Sequence, residues 1–138
     1  MTRRSSTPLA FLLLGACAGG PGPEQAGGQE ALARDVAAYA VASCLARLDE
    51  PFLREQGVLW AGAVVQRGHG PVEPLIALAE AVEAELARTG VAQGKPDGPG
   101  APTKPMPLMT CGEIVHRPAV RAATARTAAA LRPSYGWR

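Results

Sequence analysis

The sequence predicts an all-α protein, a small bundle of four to five helices. Three observations support this fold class. Apolar residues recur at helical spacing in several segments, glycine and proline residues separate these segments, and no stretch alternates strongly with period two. Hydrophobic residues make up 47% of the chain, but aromatic residues only 4%, and alanine supplies much of the remainder. Because small side chains bury little area, this core is thin and needs a further source of stability.

The N-terminus has the organisation of an export signal. Two arginines precede an apolar run over residues 9–14, and Gly15, Ala16 and Cys17 follow. This order resembles a bacterial lipoprotein signal, which implies that residues 1–16 are cleaved and that Cys17 is lipidated. A plain secretory signal followed by a coincidental cysteine is the alternative. The run is too short for a transmembrane helix, which needs about 20 apolar residues.

The predicted mature chain has the size of one domain and no net charge. Removing 16 of the 138 residues leaves 122, and the loss of Arg3 and Arg4 balances 12 basic against 12 acidic residues. A neutral chain without a basic run lacks the electrostatic footprint of a nucleic-acid-binding protein. We expect the protein in the periplasm, lipid-anchored to a bacterial membrane. Ala18 after the lipidated cysteine, where an aspartate would retain the protein at the inner membrane, favours the outer membrane.

Cysteine usage predicts one disulfide. Lipidation of Cys17 leaves Cys44 and Cys111 as an even pair, and in an oxidising compartment such a pair is most simply a disulfide. The bond closes a loop of roughly 70 residues and stabilises the fold by about 4 kcal/mol in the chain-entropy model. A free catalytic thiol is the alternative, and export argues against it.

The first half of the domain contains two predicted helices. Residues 17–28 are rich in glycine and proline and predict a flexible tether, and residues 29–49 follow with helical periodicity. The segment Asp49-Glu50-Pro51 offers a cap, an acidic first turn and a proline suited to the first helical position. The second helix then extends to about residue 67. Gly57 and Gly62 weaken it unless they mark the close approach of a neighbouring helix.

The second half of the domain contains a long loop between helices. A third helix follows a break at residues 68–71 and ends at Gly90. Residues 93–107 contain five prolines and three glycines, which predicts a long exposed loop. Thr110 and Glu113 then have the spacing of a capping box for a short helix. A last helix begins at Pro118, and the helical domain as a whole covers residues 29–132, followed by an aromatic tail at residues 133–138.

The residues that could carry chemistry form no recognised catalytic or metal-binding motif. His69 and His116 are the two histidines, and neither lies in a nucleophile elbow or a thiol-protease signature. The sequence contains no paired histidines at zinc-ligand spacing and no Cys-x-x-Cys motif. It therefore predicts no enzyme, no cofactor and no metal site. An envelope hydrolase that uses one of the two histidines is the remaining catalytic alternative.

Four segments, taken in order, resemble the type VI secretion amidase immunity protein family, whose members are small periplasmic helical proteins. The segments are DVAAYAVASCL at 35–45, LWAGA at 59–63, the helix ending at Leu86, and LMTCGEIVH at 108–116. The resemblance covers roughly residues 32–131. The resemblance depends on the order of the four segments and on the arrangement of the two cysteines. The lipoprotein signal and the long proline-rich loop are departures from the family.

The resemblance implies a fold, a partner and a function. The cysteine pair is the family's disulfide, the fold is an all-α bundle that is often dimeric, and the function is stoichiometric inhibition of a peptidoglycan amidase toxin. Contact residues do not carry over. Exposure and charge alone suggest Lys95, Asp97 and Lys104, and Met106 is a candidate buried anchor. A structural or accessory envelope lipoprotein without toxin-neutralising activity is the alternative function.

Overall fold

The structure, a computed structural model, describes residues 23–95 and 98–136. The elements described are α1 (Pro23–Leu45), α2 (Pro51–Arg67), α3 (Glu73–Thr89), β1 (Gln93–Gly94), β2 (Lys104–Pro105), α4 (Pro107–Ile114) and α5 (Pro118–Tyr135). The all-α prediction is therefore confirmed. The predicted signal, the lipidated cysteine and Asp97 lie outside the described residues.

Helix α1 is the centre of the bundle. It packs against each of the other four helices, and α3 and α5 also pack against each other, whereas α2 makes its substantial helix contacts with α1. The buried face of α1 has a residue at every fourth position, which places these side chains along one side of the helix. They are Leu32, Val36, Ala40, Cys44 and, just beyond the helix end, Leu48.

Helix α1 begins earlier than the sequence predicts. It starts at Pro23, so residues 23–28, expected to belong to the tether, are helical. A proline suits the first turn of a helix because its missing N–H has no partner there. Gly28 is buried, and a side chain at this position would meet the backbone of Tyr135 at the end of α5. Packing against α5 thus outweighs the poor helix propensity of glycine.

The start of α2 has a side-chain cap and the predicted proline, but the cap residue is Glu50 and the first turn contains no acidic residue, so the predicted acidic first turn is wrong. The side chain of Glu50 accepts hydrogen bonds from the amides of Phe52 at 3.3 Å and Leu53 at 2.6 Å, and Pro51 is the first helical residue. Gly57 lies directly against α1, as one reading of the sequence allowed, whereas Gly62 has open space around it.

The capping box predicted for α4 is wrong. The cap position is Met106, and Thr110 lies inside the helix. The hydroxyl of Thr110 donates to the Met106 carbonyl oxygen at 2.9 Å and accepts from the Ala92 amide at 2.9 Å. Thr110 therefore joins α4 to Ala92, which lies between α3 and β1, instead of capping its own helix.

The predicted disulfide is confirmed. Cys44 and Cys111 are bonded, are separated by 67 positions in the chain, and are both buried. The bond joins the C-terminal part of α1 to the short helix α4.

We expect loss of this bond to lower the free energy of unfolding by about 4 kcal/mol, because the unfolded chain regains the entropy of an open loop. The Cys44→Ala/Cys111→Ala variant, produced without residues 1–17, should show this loss in urea unfolding. Adding reductant should destabilise the native chain to the same level and leave the variant unchanged. A native chain that is insensitive to complete reduction would contradict the prediction.

The two glycines of α2 provide a matched pair of substitutions. A Cβ atom at Gly57 would lie 2.7 Å from the Ala42 carbonyl oxygen, so α1 and α2 must separate to admit it. We expect Gly57→Ala to lower the free energy of unfolding by about 1–3 kcal/mol. Gly62→Ala meets no atom within 4 Å and should raise stability by up to about 1 kcal/mol through helix propensity. Equal effects in thermal unfolding would show that the glycines do not differ in packing.

Candidate functional site

A buried carboxylate lies where α1, α2 and α5 meet. The side chain of Asp35 on α1 is 3% exposed and accepts three hydrogen bonds. The donors are the hydroxyl of Tyr135 at 3.0 Å and the Nε atoms of Arg67 at 3.0 Å and Arg34 at 3.1 Å. Arg67 and Tyr135 thereby tie the ends of α2 and α5 to the middle of α1.

The environment of Asp35 keeps it ionised. Burial raises the pKa of this carboxyl, but hydrogen bonds from Arg67, Tyr135 and Arg34, together with the charge of Arg34, hold the pKa below its ordinary value of 3.8. A general acid in catalysis needs the opposite shift. The geometry and the electrostatics therefore suit a structural anion that stabilises the fold.

The two histidines lie in different parts of the bundle. His69 is in the turn between α2 and α3, and its ring centroid is 5.8 Å from that of Tyr135. His116 follows α4 and lines a surface cavity of about 340 Å³ together with Glu113 and Arg117. Within residues 23–95 and 98–136, no three His, Cys, Asp or Glu side chains are grouped so as to hold a metal ion.

A rigid surface is built at the end of the molecule that carries the disulfide. The strands β1 and β2 pair antiparallel, with Gln93 opposite Pro105 and Gly94 opposite Lys104. The amide of Met106 donates to the Ala92 carbonyl oxygen at 2.8 Å, and the amide of Ala92 in turn donates to Thr110 of α4. The predicted long loop is thus closed by a short hairpin and fixed to α4 at its base.

This end of the molecule exposes apolar side chains beside basic ones. Met106 is 38% exposed, Leu108 64% and Met109 45%, and Lys95 and Lys104 are also exposed. We call these five residues the hairpin surface. Three of them, Lys95, Lys104 and Met106, were suggested from the sequence.

Two members of the hairpin surface were missed. The sequence suggested Leu108 and Met109 as a hydrophobic staple under the capping box, which would bury them. Once α4 is known to begin at Pro107, helical spacing places Met109 opposite the buried residues Cys111 and Ile114.

A second apolar surface runs along α2. Phe52, Leu59, Trp60 and Val64 all belong to the helical periodicity that predicts α2, but Phe52, Leu59 and Trp60 are 64%, 61% and 39% exposed. The structure buries Val64, together with Gly57. Because α2 has apolar residues on both sides, its pattern alone does not say which side faces α1.

Comparisons with protein-family models, with curated proteins and with solved structures find no match to this chain. Among the described helices, none combines the length and the apolar character that crossing a membrane requires.

We expect Asp35→Asn to lower the free energy of unfolding at pH 7 by about 2 kcal/mol, the usual contribution of hydrogen bonds to a buried charge. The arginine partners add little because their side chains are 64% and 42% exposed. Since the folded-state pKa lies below the unfolded one, this stability is complete above the unfolded pKa and is lost as the pH falls through the folded pKa.

Urea unfolding at several pH values checks this expectation, with the exposed Glu80→Gln as the control. The stabilities of the native chain and of Asp35→Asn should converge below the ordinary pKa of an aspartate. A difference that stays constant down to strongly acidic pH would show that charge on Asp35 is not its cause.

Proposed function

We propose that this protein is a lipid-anchored, non-enzymatic immunity protein that binds and occludes a peptidoglycan amidase of a type VI secretion system. The proposal joins the ordered resemblance of four segments to that family with the architecture of the bundle. The N-terminal signal adds support, because export brings the protein to the compartment that contains peptidoglycan.

The observation that carries the proposal is the construction of the hairpin surface. An inhibitor that enters a catalytic groove must present a projecting segment that already has its bound shape, because ordering a loop during binding costs affinity. The base of the hairpin is held in place by β1–β2 pairing, by the bond between Ala92 and Met106, and by Thr110 of α4, which lowers this cost. Its prolines restrict the backbone further.

The side chains of the hairpin surface also suit protein recognition. Met106, Leu108 and Met109 offer apolar anchors, and methionine adapts its shape to a partner because it is unbranched and polarisable. Lys95 and Lys104 place positive charge beside these anchors. An apolar centre with a charged rim is the usual anatomy of an interface.

The proposal predicts that the purified chain, lacking residues 1–17, inhibits the amidase encoded beside it at one inhibitor per enzyme. Leu108→Asp combined with Met109→Asp should weaken binding at least about 30-fold, because hot-spot anchors contribute 2 kcal/mol or more. Calorimetry gives the affinity, and release of soluble muropeptides from peptidoglycan gives the inhibition.

Ile76→Asp is the matched control, because Ile76 is 51% exposed on α3 and lies outside the hairpin surface. It should retain native affinity. If the native chain neither binds the amidase nor protects cells that express it in the periplasm, the immunity function is wrong. Stable association with envelope components under those conditions would favour the accessory lipoprotein.

A further inference from the structure

Helix α2 carries an apolar stripe on a side where none of the described helices packs substantially. Phe52, Leu59, Trp60 and Ala63 are spaced at i, i+7, i+8 and i+11, which places them on one side of the helix, and all four are exposed. We call these residues the α2 stripe. A helix that is apolar on two sides is normally covered on both, and α1 covers only the side with Gly57 and Val64.

The composition of the α2 stripe suits the surface of a lipid bilayer. Helical spacing adds Gln56 and Arg67 to the same side, and the exposed Glu55 lies at the border of the stripe, beside Phe52 and Leu59. Tryptophan and phenylalanine favour the boundary between headgroups and acyl chains. Helices that lie flat on membranes combine these features.

The position of α2 relative to the N-terminus places the stripe beside the membrane anchor. Gly57 lies over Ala42, whereas Arg67 contacts Asp35, so α2 runs antiparallel to α1. The C-terminal end of α2 is therefore the end nearer to Pro23, where α1 begins.

The length of chain between the anchor and α1 allows the stripe to lie on the bilayer. Six residue steps separate Cys17 from Pro23, and this stretch spans at most about 20 Å. With α2 and the antiparallel α1 both lying along the bilayer, the axis of α1 is one helix spacing of about 10 Å farther away at most, plus about 5 Å for the radius of α2. Pro23 is then about 15 Å or less from the surface, within reach of a lipidated Cys17.

We propose that the α2 stripe docks on the membrane that holds the lipid anchor, so that the bundle lies on its side. This inference rests on the lipidation of Cys17 in the proposed function. The short connection keeps the stripe at a high effective concentration near the lipid, so that even weak intrinsic affinity suffices. The driving force is apolar burial, and docking is therefore equal on zwitterionic and anionic bilayers.

Trp60 reports on this contact directly. The chain has two tryptophans, and Trp137→Phe leaves Trp60 as the sole emitter. The full chain, lipidated by the cell, is reconstituted into phosphatidylcholine vesicles with or without brominated acyl chains, and into the same vesicles containing phosphatidylglycerol. We expect bromine to lower the Trp60 emission at least about twofold in both compositions, because a docked stripe reaches the acyl-chain boundary.

The matched variants keep the lipid anchor at Cys17 and replace only exposed apolar side chains. Phe52→Glu combined with Leu59→Glu should remain in the vesicle fraction and lose the quenching. Ile76→Glu, at an exposed residue of α3 outside both surfaces, should keep it.

Three results would overturn the inference, and they separate it from the proposed function. A lipidated, vesicle-bound chain with unquenched Trp60 contradicts docking alone and leaves the immunity function in place. A mature chain whose measured mass includes no lipid would contradict the lipid anchor, which both proposals assume. A dimer of the chain without residues 1–17 that the double glutamate variant disperses assigns the α2 stripe to a second copy of the protein.

Discussion

The bond between Cys44 and Cys111 is the constraint on which the rest of this structure depends. Helix α4 has eight residues, too few for a stable isolated helix, and it contacts mainly α1. The disulfide holds it there, and Thr110 of α4 in turn holds the base of the hairpin through Ala92. The order of the hairpin surface therefore depends on this covalent bond. The sequence predicts a core filled largely by alanine, but the buried apolar residues that the structure describes are mainly leucine and valine, so the bond matters for holding α4 rather than for replacing a missing core.

The middle of α1 is held by polar contacts instead. Asp35 brings together Arg67 from the end of α2 and Tyr135 from the end of α5, across 100 positions in the chain. The hairpin surface and the α2 stripe lie on different helices around α1.

Features that depend on local chemistry could be predicted from the sequence. The cap formed by Glu50 and Pro51, the helix stop at Gly90 and the cysteine pair all follow from residue types and short spacings. Features that depend on contact with another helix could not be predicted from the sequence. Phe52 and Val64 are both apolar, and only the position of α1 decides that Val64 is buried. Likewise, the hydroxyl of Thr110 suits a cap by spacing, but Ala92 competes for it across the hairpin.

Hydrogen–deuterium exchange before and after reduction of the disulfide tests the central claim most directly. The amides of Ala92, Met106 and Thr110 report on the hairpin and α4, and those of α2 report on a helix that depends on α1 alone. We predict that reduction greatly increases exchange at the amides of Ala92, Met106 and Thr110 while the amides of α2 remain protected, because α4 opens locally. Equal protection of α4 and the hairpin in the oxidised and fully reduced chains would contradict it.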